Sequence, residues 1–351
     1  MNEQRIRKAL QVVLHPKLKK SLIDLGMVRN ISFVNGTAGL ELALKSEHSP
    51  LKKLLVQQIK TVLSLLPEIS SVRIKVVTLS PEEVKQMFPQ APLKGIEKVK
   101  HFLAVASGKG GVGKTSIAVN VALALVKQGC KVGLLDADIY GPSVPMMLAL
   151  SEPLDQRDEM IVPNEKYGLR IVSLGMTAGQ NEAFIWRGPL VSKMIHQLLG
   201  QVKWGDLDYL VIDLPPGTGD PSITIAQAIP QASILMVTTP QELSLADVRR
   251  AIALFRKHNL NITGLVENMS YFICAHSPEP IEIFGHGGGE KLSRETDLPL
   301  LGKIPLVLSL REAGDSGEPL MVLEPDSEVG HIFQKIARGL VEKSEMSAEP
   351  G

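Results

Sequence analysis

The residues with the clearest chemical meaning form a glycine-rich run that ends in a lysine and a hydroxyl residue, Gly108-Lys109-Gly110-Gly111-Val112-Gly113-Lys114-Thr115. The run matches the spacing G-x-x-x-x-G-K-[ST], in which backbone N–H groups turn toward phosphate oxygens and the following helix presents the positive end of its dipole. Lys114 is then placed to neutralise the β- and γ-phosphates, and the Thr115 hydroxyl to bind Mg²⁺. A glycine-rich turn with an accidental Lys-Thr is the alternative. The prediction is a nucleoside triphosphate site formed by Gly108, Lys109, Gly110, Gly111, Val112, Gly113, Lys114, Thr115 and Ser116.

Three carboxylates stand where chemistry on a bound phosphate would need them. Asp213 ends an apolar run that begins at Tyr209, which suits a group that holds a water molecule on Mg²⁺. Asp136 and Asp138 end a second apolar run and occupy the turn after it, from which they would reach Mg²⁺ and the attacking water. A surface aspartate at a strand end is the alternative for Asp213, and solvated turn residues are the alternative for Asp136 and Asp138. We predict Thr115 and Asp136 as magnesium ligands, and Asp138 and Asp213 as catalytic residues.

The elements that must position these residues follow an α/β pattern from about residue 100 onward. Short, nearly continuous apolar runs alternate with helical segments, which is typical of a parallel sheet covered on both faces. The predicted strands are 101–106, 131–136, 209–213, 233–238, 262–267 and 300–304, and the predicted helices are 115–128, 189–199, 243–259 and 329–341. The pattern predicts a doubly wound, mostly parallel sheet.

Residues 1–80 predict a separate, small α+β domain. A helical pattern comes first, two alternating strands flank the turn Asn35-Gly36, and a second helical pattern precedes a third strand. Pro81, Pro89 and Pro92 then mark a linker over 81–99. The nucleotide domain is expected to cover 100–343, and a frayed tail 344–351.

Composition excludes several classes of protein. With 44% hydrophobic and 21% charged residues, the chain is neither disordered nor of low complexity. Its two cysteines cannot form a disulfide framework, and it has no run of 18 apolar residues to span a bilayer. The apolar stretch 9–14 is too short for a signal-peptide core. These features predict a protein of the reducing cytoplasm.

Charge is divided unevenly along the chain. Residues 1–100 hold 17 lysines and arginines against eight acidic residues, whereas the remainder holds 21 against 29. A basic first domain that meets an acidic partner, or the acidic half of its own chain, is one interpretation. An ordinary solvated surface is the other.

The second lysine of the glycine-rich run, Lys109, resembles the deviant phosphate loop of the dimeric ATPases that include MinD, ParA and the nitrogenase iron protein. The resemblance is closer to the Mrp/ApbC iron-sulfur cluster carriers, through residues 108–115, 135–143, 213–220, 267–270 and 283–289. The segments 12–16, 22–27 and 49–51 are similar to the small domain of metal-sulfur assembly factors.

This resemblance implies an ATP-hydrolysing P-loop enzyme that works as a homodimer with Mg²⁺. It implies that Lys109 crosses the dimer to the partner's nucleotide and so acts as a catalytic residue, and that Asn268 binds the adenine edge; a simple turn asparagine is the alternative for Asn268. It also implies client apoproteins or assembly factors as partners.

The metal residues depart from the family pattern. Family members carry Cys-x-x-Cys where this chain has Cys274-Ala-His-Ser277, so one of two thiolates for an iron-sulfur cluster is a hydroxyl. Ser49 stands where a cysteine is expected in the first domain. Cys274 is therefore the predicted cluster ligand, with His276 as a possible supplement and a solvated loop histidine as the simpler reading. Cys130, before the second strand, is expected to be a small buried residue.

Three functions fit these residues. The first is a homodimeric carrier that transfers iron-sulfur clusters to apoproteins and hydrolyses ATP. The second is a metal-free ATPase adaptor, which the missing thiols favour. The third, a positioning ATPase of the MinD or ParA type, requires a membrane-binding last helix or a basic DNA-binding face. The last helical pattern carries few basic residues, so we expect no membrane and no nucleic acid among the partners.

Overall fold

The computed structural model describes residues 3–16, 18–46, 49, 51–87, 93–138, 141–158, 160–176, 188–274 and 277–346. The chain divides into two compact units, 1–92 and 93–351. No helix in the described ranges is long and apolar enough to cross a membrane.

The described part of the first unit contains three helices and a three-stranded sheet. Its elements are α1 (Glu3–Leu10), β1 (Val28–Val34), β2 (Thr37–Leu44), α2 (Lys52–Ser64), β3 (Ser71–Thr78) and α3 (Pro81–Met87). Strand β2 lies in the middle, antiparallel to β1 and parallel to β3. The predicted hairpin turn is present, since Asn35 and Gly36 have φ of 48° and 77°. Ile6 of α1 and Ile59 of α2 are fully buried in the core of this unit.

Helix α3 occupies the first part of the segment that was predicted as a linker. Its start is a capping box: the Glu83 N–H donates to the Ser80 hydroxyl (3.2 Å), and the Ser80 N–H donates to the Glu83 carboxylate (2.8 Å). Glu83 also pairs with Arg29 of β1 at 2.7 Å. The spacing Ser80-x-x-Glu83 is a helix-start signal that the prolines obscured.

The described part of the second unit contains an eight-stranded sheet between two layers of helices, together with two separate antiparallel pairs of strands. Its strands are β4 (Val99–Ser107), β5 (Val132–Asp136), β6 (Asp155–Arg157), β7 (Met160–Val162), β8 (Asn164–Lys166), β9 (Leu169–Ser173), β10 (Leu207–Asp213), β11 (Ser233–Thr238), β12 (Asn261–Glu267), β13 (Phe272–Cys274), β14 (Ser277–Ile281) and β15 (Leu300–Lys303). Its helices are α4 (Lys114–Lys127), α5 (Val144–Met147), α6 (Gly188–Gly200), α7 (Asp220–Ala228), α8 (Glu242–Lys257), α9 (Gly288–Thr296), α10 (Leu308–Ser316), α11 (Leu320–Leu323) and α12 (Glu328–Met346). The two separate pairs are β6 with β7 and β13 with β14. All six strands and all four helices predicted after residue 100 are present.

The sheet order is β15-β12-β11-β4-β10-β5-β9-β8, and every neighbouring pair is parallel except β8 with β9. Successive side chains of β4 enter opposite cores: Ala104 packs in the core that contains Phe255 of α8, and Val105 in the core that contains Phe333 of α12. A strand buried on both faces needs a continuous apolar run. The predicted doubly wound α/β fold is confirmed.

The register of the central strands assembles the carboxylates at one edge of the sheet. Asp213 at the end of β10 lies opposite Val105 of β4 on one side and opposite Asp136 of β5 on the other. The glycine-rich run leaves β4 two residues after Val105. In a parallel sheet the carboxyl ends of neighbouring strands meet at one edge, which is where ligands bind in open α/β sheets.

The last helix runs further than predicted. Helix α12 continues to Met346, three residues into the segment 344–351 that was expected to fray. The Ser344 hydroxyl and the hydroxyl of Tyr209 on β10 lie 2.6 Å apart, which fastens this end of the helix to the sheet. Residues 347–351 lie outside the described ranges.

Candidate nucleotide site

The glycine-rich run connects β4 directly to α4, as its spacing predicted. Gly113, the N-cap of α4, has φ of 78°, a conformation that glycine adopts without strain. A methyl group at Gly113 would also lie 2.3 Å from Nδ2 of Asn268. The first turn of α4 therefore starts at Lys114 with its backbone N–H groups facing the run.

A cavity of about 400 Å³ opens over this run. Its walls are Ser107, Lys109, Gly110, Gly111, Val112, Gly113, Lys114, Thr115, Ser116, Asp138, Ser143, Met146, Met147, Pro216, Leu310, Arg311, Gly314 and Asp315. Of the residues predicted for the site, Gly108, Asp136, Asp213 and Asn268 are not among the wall residues.

Lys114 lies at the centre of a buried cluster of charges. Its ammonium donates to Oδ1 of Asp213 at 2.6 Å and lies 3.9 Å from Oδ2 of Asp138. The Thr115 hydroxyl donates to the other oxygen of Asp213, also at 2.6 Å. The side chain of Lys114 is 6% exposed, and that of Asp213 is fully buried. The structure thus brings together the lysine, the hydroxyl and two of the three carboxylates that the sequence singled out.

Burial dominates the electrostatics of Asp213. Loss of water raises the pKa of its carboxyl, while Lys114 and the Thr115 hydrogen bond act in the opposite direction. A buried carboxylate that lost Lys114 would keep the burial penalty without the compensating charge.

Asp136 lies beneath the cavity rather than in its wall. Its carboxylate accepts hydrogen bonds from the Ser173 hydroxyl of β9 (2.9 Å) and from the backbone N–H groups of Asp138 (3.1 Å) and Val144 (3.4 Å). Burial, followed by the nearby charge of Asp213, raises the pKa of the Asp136 carboxyl to about 7. In this geometry Asp136 orients the turn that carries Asp138. Its direct contact with Mg²⁺ stays a prediction.

Lys109 is held at the rim of the cavity by a residue far away in the sequence. Its ammonium donates to Oε1 of Gln241, the N-cap of α8, at 3.3 Å. The Ser107 hydroxyl donates to the carbonyl of Lys109 at 2.9 Å, and the Gly217 N–H donates to the carbonyl of Ser107 at 2.9 Å. The segment after Asp213 therefore contacts the end of β4, from which the run leaves the sheet. Nothing in the sequence pointed to Gln241, 132 residues from Lys109.

Asn268 contacts the backbone of the glycine-rich run. It is 4% exposed, and its side-chain amide donates to the carbonyl of Val112 at 2.8 Å. Its backbone N–H donates to the carbonyl of Thr238 at the end of β11. In this geometry Asn268 supports the loop backbone, and the adenine contact stays a prediction.

Cys274 lies on a hairpin that the sequence analysis did not predict. Strands β13 and β14 are antiparallel, and the backbone of Cys274 lies opposite that of Ser277. His276 lies outside the described residues. Within the described residues no group of three or more histidine, cysteine, aspartate or glutamate side chains could hold a metal ion. Cys130 is half-buried rather than buried, because it follows the end of α4 at the rim of the sheet, and burial raises the pKa of its thiol.

The donor set around Thr115 fits a Mg²⁺ ion. Thr115, Asp138 and Asp213 offer one hydroxyl and two carboxylates, and Mg²⁺ binds oxygen ligands of this kind together with phosphate oxygens and water. Thr115 and Asp213 already touch each other, and Lys114 bridges Asp213 and Asp138. Thr115 and Asp213 are therefore close enough to act on one small cation, and Asp138 lies 3.9 Å from the ammonium that contacts Asp213.

Comparison with known proteins gives consistent results for both units. A family model described as NUBPL iron-transfer P-loop NTPase matches residues 98–341, and one described as iron-sulfur cluster assembly protein matches residues 3–76. An iron-sulfur cluster carrier protein of Synechocystis is 42% identical over 345 residues, which cover 97% of each chain. One of Aquifex aeolicus is 40% identical over 356 residues, covering 95% of this chain and 97% of the relative.

Solved structures agree for the second unit. A nucleotide-binding protein from Archaeoglobus fulgidus, solved in complex with ADP, is 36% identical to this chain and superimposes with a TM-score of 0.59. The match covers 68% of this chain and 94% of the Archaeoglobus chain. The cell division ATPase MinD of Pyrococcus furiosus has a TM-score of 0.53 and 22% identity over 69% of this chain and 99% of its own, which shows likeness of fold. The resemblance seen in the motifs is confirmed, and the chain belongs to the NUBPL iron-transfer P-loop NTPase family.

Proposed function

We propose that the protein is a homodimeric carrier that binds an iron-sulfur cluster, hydrolyses ATP with Mg²⁺, and transfers the cluster to apoproteins. The observation that carries the ATPase part is the buried contact of Lys114 with Asp213 beneath an open cavity. Family membership and the hairpin that bears Cys274 support the carrier part. The cluster is the cargo of this protein and not a resident cofactor.

The residues divide the work as follows. Phosphate oxygens that enter the cavity would compete with Asp213 for the ammonium of Lys114, and Thr115, Asp138 and Asp213 would hold Mg²⁺. The ion, when bound, neutralises charge that develops on the transferred phosphoryl group. Asp138 lines the cavity and is placed to orient the attacking water. When the nucleotide leaves, the Asp213 carboxylate pairs again with the Lys114 ammonium.

Lys109 is proposed to complete the nucleotide site of the partner subunit. We expect Lys109→Ala to reduce hydrolysis by at least tenfold and to change ATP affinity by less than about threefold, because Lys109 is held by Gln241 in the single chain and is not needed for the first binding step. Stopped-flow binding of a fluorescent ATP analogue and steady-state phosphate release measure the two effects separately.

Gln241→Ala is the matched control for Lys109→Ala. It removes the resting partner of Lys109 and leaves the ammonium in place, so hydrolysis should persist. If Lys109→Ala and Lys114→Ala lost ATP affinity equally, the proposed role of Lys109 across a dimer would be refuted.

The carrier function is tested by transfer. Protein reconstituted without oxygen should contain iron and acid-labile sulfide, and should activate an apo-ferredoxin faster with MgATP than with a non-hydrolysable analogue. If the protein bound iron but ATP had no effect on transfer, the proposal that ATP hydrolysis drives cluster transfer would be rejected.

A metal-free adaptor is the second candidate, and one observation favours it. The residue across the hairpin from Cys274 is Ser277, whose hydroxyl is a poor ligand for iron in a cluster. Absence of iron and sulfide from protein that still hydrolyses ATP would support the adaptor over the carrier.

A further inference from the structure

Glu267, the last residue of β12, is a buried carboxylate that the nucleotide site does not use. It is 1% exposed. Its Oε1 accepts a hydrogen bond from the hydroxyl of Ser270, and its Oε2 accepts one from the backbone N–H of Gly289 in the first turn of α9. Ser270 is itself 4% exposed. Both oxygens of a buried acid are thus committed to two points of the chain that lie 19 residues apart in sequence.

Those two points are the two ends of the segment that carries Cys274. The chain leaves the sheet at Ser270, forms the hairpin of β13 and β14, and returns at the start of α9. A methyl group at Gly289 would lie 2.9 Å from Oε2 of Glu267, so glycine is what allows the helix to approach the carboxylate. One carboxylate therefore fixes the outgoing and the returning ends of the hairpin together.

The outgoing end is also connected to the phosphate loop. Asn268, the residue after Glu267, donates its side-chain amide to the carbonyl of Val112 at 2.8 Å. A displacement of the loop backbone at Val112 would act on Asn268, and through the shared peptide bond on Glu267.

The returning end has its own connection. A methyl group at Gly288 would lie 2.5 Å from the carbonyl oxygen of Pro240, so α9 begins in close contact with the turn after β11. The next residue in that turn, Gln241, holds Lys109 of the loop. The outgoing end, Ser270, lies two residues after Asn268, which contacts the phosphate loop. The returning end, Gly288, approaches Pro240, the residue before Gln241, which also contacts the loop.

We propose that Glu267 is a positioning residue that couples the conformation of the phosphate loop to the hairpin that carries Cys274. This inference deepens the proposed function and rests on it only in treating the hairpin as the element that holds the cargo. A hydrogen-bonded carboxylate that merely caps α9 would stabilise the helix equally with and without nucleotide. The coupling role requires that nucleotide at the loop change the hairpin, and that this change depend on Glu267.

Hydrogen exchange of the full-length protein, read by mass spectrometry with and without saturating MgADP, tests the coupling. In the unaltered protein, MgADP should change exchange in peptides covering 271–283 by at least threefold. Glu267→Ala should abolish that change while the Kd for ADP stays within about threefold. Glu267→Gln should retain it, because the amide oxygen can accept from Gly289 and the amide N–H can donate to the oxygen of Ser270.

Two further variants separate coupling from stability. Ser270→Ala removes only the outgoing contact and should reduce the response, which keeps the test decisive if Glu267→Ala does not fold. Glu290→Ala, which removes a partner of Lys303 from the first turn of α9, should lower stability without changing the response.

The outcomes are distinct. A hairpin that responds to MgADP equally in the unaltered protein and in Glu267→Ala overturns the inference, as does a hairpin that does not respond although ADP binds. Failure of ADP to bind the unaltered protein would overturn the proposed function, and the inference with it. Absence of iron from the protein bears on the carrier function alone.

Discussion

Lys114→Ala should abolish measurable nucleotide binding. The change removes a cation that makes charge-assisted hydrogen bonds to phosphate oxygens, each of which contributes about 1.5–3 kcal/mol, so two such bonds correspond to a loss of roughly 10² to 10⁴ in affinity. Isothermal titration with ATP and ADP in the presence of Mg²⁺ measures it. Lys127→Ala, an exposed lysine at the other end of α4, is the matched control and should leave affinity unchanged.

The same substitution also affects the fold, because it leaves Asp213 buried without its partner. Breaking a buried ion pair from one side costs about 3–5 kcal/mol, which should lower the melting temperature. Lys114→Ala combined with Asp213→Asn should recover much of that stability, since the buried charge is gone, yet should still bind no nucleotide. Nucleotide affinity restored in the double variant would contradict the direct role of Lys114.

Ser277→Cys should strengthen retention of an iron-sulfur cluster. A dimer of the natural chain offers two Cys274 thiolates, whereas the variant offers four, and each further metal-thiolate bond slows loss of the cluster. We expect the half-time of cluster loss to an iron chelator, followed by visible absorbance without oxygen, to lengthen by roughly tenfold or more. Cys274→Ala should abolish cluster binding.

Two control variants change a side chain without adding a second thiolate beside Cys274. Ser151→Cys places an exposed thiol elsewhere on the same unit and should have no effect, and Ser277→Ala should behave like the natural chain. Iron uptake by Ser277→Cys and none by the natural chain would identify an ATPase that has lost the direct metal site. Uptake by neither would reject the carrier assignment in favour of the adaptor.

The sheet and the phosphate loop were predictable because local sequence determines them. A strand buried on both faces needs a nearly continuous apolar run, and β4, β5, β10 and β11 each contain one. The loop was recognisable because its glycines and its Lys-Thr pair stand at fixed spacing between such a strand and a helix.

The geometry of the carboxylates was less predictable. Asp136 and Asp213 both end apolar strands, yet Asp213 contacts Lys114 while Asp136 lies beneath the turn. The difference comes from Ser173 of β9, a neighbour in space but 37 residues away in sequence. No local pattern carries that information, and the same holds for Gln241 with Lys109 and for Glu267 with Gly289.

Short elements were missed for a different reason. Strands β6, β7 and β8 have three residues each, so they lack the length over which hydrophobic periodicity can be recognised, and β6 and β8 consist of polar residues. Helix α3 was missed because its first residue is a proline, which favours a helix start as readily as a linker.

The order of strands in the sheet also sets when the protein can fold during synthesis. Strand β4 ends at residue 107, but its two neighbours are β10 and β11, the second of which is complete only at residue 238. At translation rates of about 5–20 residues per second, the ribosome needs roughly 7–26 s to make the chain between those points. Until β10 is complete at residue 213, β4 is an apolar strand with two unpaired edges, and one edge stays unpaired until β11 is made. Unpaired apolar strand edges promote aggregation. Lys114 and its partner Asp213 are brought together only as the central strands pair, so bound nucleotide cannot stabilise the chain during this interval.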